Sequence, residues 1–286
     1  MNAFEKIVFA LQFEIERPSC YGWFHLLWLA LSLLLALLLI LQKEQSHEKT
    51  LKSVLLVYGI GALVLEVAKQ VIWSFEFDPV TQLGSWDYQW YAFPFQLCTT
   101  PIIASFFAAF LKKGKLRSCL LSYMAFVTIL GSVATAVYPE SCFVRTLLVD
   151  VHTMYLHLGS LIVSVYLLAS GEVKVCFRNL LSGYVTFLMF VLLAEVMNVS
   201  LYQSGVLQGE TFNMFYISPY FTSSLPVFDT IQGMVPFPLF LLLYLVAIFA
   251  GSLVVYLLAA LIGRIAGKRK PAHAVTEKER VPELHI

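Results

Sequence analysis

Long apolar runs recur through this chain, and they limit its fold more than any single motif does. They fall at about 21–41, 53–74, 94–111, 119–138, 146–169, 179–200 and 236–262. At about 1.5 Å of rise per residue, each can cross roughly 30 Å of hydrocarbon as a helix, the third only just. Of the 286 residues 13% are charged and 59% hydrophobic, with a mean hydropathy of +0.78. A soluble domain carries about a quarter charged residues, so a soluble fold is excluded. The expected fold is all-α, a polytopic membrane bundle of seven transmembrane helices. It divides into an interfacial N-terminal segment (1–20), a transmembrane domain (21–264) and a tail (265–286).

Lysine and arginine give the expected orientation. The 42–52, 112–118 and 170–178 loops and the C-terminal stretch from Arg264 hold fifteen of the nineteen basic residues, while the long 75–93 and 201–235 loops hold none. The positive-inside rule then places the N-terminus outside and the C-terminus in the cytoplasm. Residues 3–16 put Phe4, Val8, Leu11 and Ile15 on one stripe, the pattern of a short interfacial helix. Residues 1–17 contain Glu5, Lys6, Glu14, Glu16 and Arg17 and lack the apolar core of a signal peptide. The last nineteen residues, from Lys268, are polar and charged and read as a disordered tail. In a bacterial source the plasma membrane is the expected location.

Five scattered cysteines show no CxxC and no metal-ligand spacing, so no metal or cofactor is expected. There is no nucleic-acid signature, the expected partner is a membrane lipid, and the oligomeric state is left open.

Function should lie with the polar groups at membrane depth, because such groups cost free energy unless they have a use or a partner. Phe93-Pro94-Phe95-Gln96-Leu97-Cys98-Thr99-Thr100-Pro101 opens the third run, with Pro94 suited to a first helical turn and Gln96 and Cys98 one turn further in. Cys98 is either a small core residue or a nucleophile, and a nucleophilic thiol near pKa ~8.5 needs a base. His157 in the fifth run is the candidate, with a packing histidine as the other reading. His152, five residues earlier, faces another side, and Asp150 lies two turns away. An orienting partner for His157 must therefore come from another helix, with Glu66, Glu195 and Asn198 as candidates. Glu66, Lys69 and Gln70 share a face of the second run, either as a packing ion pair or as part of a site. His25 in the first run is either an interfacial histidine or a site member, and Asn213 either a loop anchor or an oxyanion donor.

Several of these residues recur in order: His25, Glu66, Gln70, Trp73, Trp86-Asp87, Phe93–Cys98, Gly131, Pro139, His157, Asn198 and Asn213-Met214-Phe215. Over roughly 20–260 the sequence resembles the YwaF-type integral membrane family, which includes a vertebrate cysteine-dependent acyltransferase of ether phospholipids. The resemblance implies a catalytic Cys98 and His157, in a fold similar to the intramembrane hydrolases of hydroxy-fatty-acid esters. Those relatives use threonine where this chain has Cys98. The functional expectation is thioester-forming lipid acyl transfer or hydrolysis by a Cys–His dyad. Glu66, Gln96 or Asn213 would position His157 or hold the oxyanion. A transporter or sensor with a buried Glu/His/Lys path is the alternative of a different class.

Overall fold

The computed structural model describes residues 1–41 and 48–268. Helix α1 (Ala3–Leu11) starts at a capping box, in which the Asn2 side chain accepts from the Glu5 amide and the Glu5 carboxylate accepts from the Asn2 amide. It ends well before Glu16, against the expectation of a helix over 3–16. The backbone beyond it pairs elsewhere: the Ile15 amide donates to the Arg145 carbonyl at 2.7 Å and the Leu147 amide to Phe13 at 3.2 Å. Gln12 ties the helix down by donating to the Ile72 and Phe75 carbonyls.

The other helices are α2 (Trp23–Leu41), α3 (Glu48–Trp73), α4 (Thr100–Phe110), α5 (Lys115–Phe126), α6 (Thr128–Val137), α7 (Leu147–Ala169), α8 (Phe177–Ser204), α9 (Phe228–Met234) and α10 (Phe237–Lys268). Among the described residues six helical segments are long and apolar enough to cross a membrane: α2, α3, α5–α6 taken together, α7, α8 and α10. The third predicted run does not fold as one span. Its helix begins only at Thr100, with Pro101 rather than Pro94 in the first turn, and its 11 residues rise about 16 Å. Residues 93–99 instead form turns held by a distant loop, described below.

The fourth run is a helix broken at Val127, between α5 and α6. Thr128 Oγ1 and Ser164 Oγ both donate to the Met124 carbonyl, drawing it out of the helical ladder. An antiparallel hairpin of β1 (Phe75–Asp78) and β2 (Leu83–Trp86) follows α3, where only an aromatic loop was expected. A side chain at Gly84 would meet the Phe75 ring at 2.6 Å, so this position needs glycine.

The bundle centres on α5–α6, two-thirds buried, which packs on α4, α7, α8 and α10. Close approach to α8 is set by Gly183, where a Cβ would stand 2.6 Å from the Ser122 carbonyl oxygen. Helix α3 lies against α4 and α7, α2 against α7, and α10 lies outermost with 6% of its apolar window buried. Tyrosines tie helices together: Tyr155 donates to the Val57 carbonyl and Tyr184 to that of Leu245. At the end away from the hairpin, buried Arg117 pairs with Glu48 and donates to the Ala108 carbonyl, joining α3, α4 and α5. Helix α10 continues through Lys268, and the expected tail beyond it lies outside the described residues.

Candidate functional site

Cys98 sits in the turn just before α4, not inside a helix. Gln96, two residues earlier, is buried and holds that turn to the 213–216 loop. Its Nε2 donates to the Asn213 carbonyl at 2.9 Å and its Oε1 accepts from the Phe215 amide at 2.6 Å. Thr99 Oγ1 accepts from the Gln96 amide at 2.8 Å, closing the turn. Thr99 and Thr100 are buried, but Cys98 stays partly accessible, and its thiol makes no hydrogen bond to another described residue.

Beside Cys98, within electrostatic range, is the charged cluster of α3. Lys69 Nζ lies 2.7 Å from Glu66 Oε1, and Gln70 Nε2 donates to the same oxygen at 2.8 Å. The other Glu66 oxygen accepts from His152 Nε2 at 2.7 Å, and Gln70 also donates to the Ala92 carbonyl at 2.6 Å. Glu66, Lys69 and His152 are all buried, so this is a buried ion cluster joining α3 to α7. His152 Nδ1 is its one buried nitrogen without a partner.

His157 faces away from that cluster and lies about 7.5 Å further along α7 than His152. Its Nδ1 is 3.1 Å from Thr135 Oγ1 on α6, and the same hydroxyl interacts with the Cys142 thiol. His157 is partly accessible between buried Leu156 and Leu158. No hydrogen bond joins His157 to Cys98 among the described residues. Thr135 and the Gly131 backbone, not Glu66, Glu195 or Asn198, are therefore the groups that orient His157.

The sequence model of one protein family matches residues 20–258. The chain belongs to the TMEM164 family. No curated protein and no solved structure matches it.

In this TMEM164-family chain the remaining predicted site residues have structural partners. His25 is buried, with Nδ1 accepting from the Tyr21 amide at 3.0 Å and Nε2 donating to the Ala136 carbonyl at 3.1 Å. Asn198 grips Met214 by both backbone groups, and Asn213 donates to the Phe221 and Thr222 carbonyls while accepting from the Ser218 amide. Neither amide is free to hold an oxyanion, and neither is Gln96. Sequence reasoning missed Thr135 as the partner of His157 and His152 as the partner of Glu66. The apolar run around Thr135 gave no signal for it, whereas Glu66 and His152 could have been paired as the ionisable groups of neighbouring runs. Among the described residues no group of three or more His, Cys, Asp or Glu side chains could hold a metal ion.

Proposed function

We propose that this protein is an intramembrane, cysteine-dependent lipid acyltransferase or acyl hydrolase, with Cys98 as nucleophile and His157 as base. The observation that carries the reading is a partly accessible thiol with no hydrogen bond to another described residue, held at the entrance of α4 in an otherwise buried polar layer. In the reaction His157 takes the Cys98 proton and the thiolate attacks a lipid ester. The lysolipid leaves with that proton, and a second lysolipid or water then takes the acyl group. The resemblance to the YwaF-type family, with its ether-phospholipid chemistry, supports the same assignment.

A lipid substrate is favoured by a groove of about 400 Å³ between α2, α3 and α7. Leu31, Leu35, Leu39, Val54, Val57 and Ile162 line it with almost no polar surface, as an alkyl chain requires. The proposed topology has seven crossings, with α4 and its entry turn as the third. The N-terminus and hairpin lie outside and the basic end in the cytoplasm. The transporter or sensor alternative rests on the α3 charges, but Glu66 and Lys69 neutralise each other there.

The test is labelling of the purified protein in lipid with an acyl-mimetic, thiol-reactive probe. Label should be lost in Cys98→Ala and His157→Ala. Equal labelling of the Cys98→Ala variant would remove the nucleophile assignment.

A further inference from the structure

Acyl transfer creates an oxyanion, and the side-chain amides of Gln96, Asn198 and Asn213 cannot serve it because each is bound to backbone. Three tyrosines lie within electrostatic range of Cys98: Tyr58, Tyr123 and Tyr216. Tyr58 donates to the Leu156 carbonyl at 3.3 Å, and Tyr123 shares a 2.6 Å hydrogen bond with Thr100. Tyr216 makes no side-chain hydrogen bond among the described residues.

The backbone that carries Tyr216 is unusual. Phe215 and Tyr216 are consecutive bulky residues in the left-handed region, with φ of 57° and 59°. Such a pair persists only where its surroundings over-determine it. Here Gln96 holds Phe215 N at 2.6 Å, Asn198 holds Met214 N at 2.7 Å, and Asn213 holds Ser218 N at 2.8 Å. The Phe215 ring is fully buried against Phe95 and Phe187. From Phe212 to Ser218 every residue is buried except Tyr216. The clamp thus fixes a strained turn whose one partly accessible side chain has a hydroxyl without a partner among the described residues, and the Gln96–Phe215 hydrogen bond sets that turn against the one that carries Cys98. It also brings Gln96, Asn198 and Asn213 to one task, which is to position this turn.

We propose that Tyr216 is the oxyanion donor of the Cys98 reaction, a role that rests on the acyl-transfer reading above. As Cys98 Sγ bonds to the ester carbonyl carbon, the carbonyl π pair moves onto oxygen, and the Tyr216 O–H donates to it. When the carbonyl re-forms, the bond to the lysolipid oxygen breaks, and that oxygen takes the proton His157 removed from the thiol. Tyr216 keeps its own proton throughout. Such a donor contributes only when charge develops, on the order of 10²–10³-fold in rate.

The experiment compares two reactions of Cys98 in the parent protein and in Tyr216→Phe, each read by mass spectrometry of the Cys98 peptide in lipid. Acylation by a long-chain p-nitrophenyl ester passes through an oxyanion, whereas alkylation by iodoacetamide does not. The expected result is acylation slowed roughly 10²–10³-fold, with alkylation and thermal unfolding unchanged. The variant should fold, because no hydrogen bond is lost. Unchanged acylation in the variant overturns the role of Tyr216 and leaves Cys98 as nucleophile. Equal slowing of both reactions also overturns it, by showing that Tyr216 governs access to the thiol. No acylation of Cys98 in the parent protein overturns the nucleophile reading, and the donor with it.

Discussion

Two polar regions lie side by side in this bundle, and they differ in how fully their groups are matched. On the α3–α7 side, Glu66 meets a cation, an amide and an imidazole through its two oxygens, and every member is within hydrogen-bond reach of another. On the α4–α6 side, the Cys98 and Tyr216 side chains have no hydrogen bond to another described residue, and His157 bonds to Thr135 and to the Gly131 backbone. The first region is closed and buried, whereas the second is accessible. A buried polar cluster that satisfies itself can hold helices together, but it leaves nothing with which to meet a substrate. Unmatched groups on a rigidly clamped frame do the opposite, and this separates support from chemistry.

The sharpest way to break that comparison is to remove Cys98. Cys98→Ala should abolish acyl-enzyme formation completely while leaving the fold intact, measured by labelling and thermal unfolding on the same sample. An equally active Cys98→Ala would mean that the open region is not the reactive one.

The closed region should respond in the opposite way, through stability. Glu66→Ala leaves Lys69 with the Ala92 carbonyl at 3.4 Å and the Trp73 ring at 5.4 Å, and leaves His152 Nε2 unpaired. Breaking a buried pair from one side costs about 3–5 kcal/mol. Thermal unfolding in detergent should show that loss. Glu66→Gln, which keeps hydrogen-bonding oxygen and nitrogen, should lose less. Replacing Glu66 and Lys69 together with apolar residues should recover much of the stability, since an apolar pair of similar volume is often neutral. Failure of that double replacement would give the cluster a role beyond support.

Packing between the regions is a smaller effect. Gly183→Ala drives a methyl against the Ser122 carbonyl, where backbone rather than a mobile side chain must yield. A cost of about 1–3 kcal/mol is expected, with α5 and α8 forced apart. A neutral result would show that this interface is looser than the contact implies.

The contrast also marks what could be read from the sequence. The runs of 19–32 residues that became α2, α3, α7, α8 and α10 were legible, because hydropathy and length decide such helices locally. The third run was not. Residues 93–99 leave the helix because Gln96 bonds to Asn213 and Phe215, more than a hundred residues away, and no local pattern reports that. The hairpin was hidden by its length, since Phe75 and Phe77 alternate over only four residues before the Asp78 turn. Within one helix, spacing correctly grouped Glu66, Lys69 and Gln70. Between helices it gave no depth, so His152 was set aside although it lies level with Glu66. Cys98 and His157 stood out by residue type, but their neighbours Thr135 and Tyr216 become visible only in three dimensions.

Thr135 provides the finest test of the difference between the two regions. Its hydroxyl lies 3.1 Å from His157 Nδ1 and also interacts with Cys142, so it holds the imidazole at a fixed angle without carrying charge. Thr135→Val keeps the shape and removes the hydrogen bond. One such bond is worth about 0.5–1.5 kcal/mol net, so acylation of Cys98 should fall by roughly tenfold or less. Stability should change by no more than the same amount. If His157 is the base, the loss appears in acylation and not in alkylation of an already formed thiolate at high pH. If His157 only packs, both reactions stay at the parent rate and the variant differs in unfolding alone. A rate loss confined to acylation would therefore place His157 with Cys98 in the reactive region, although no hydrogen bond joins them in the resting structure.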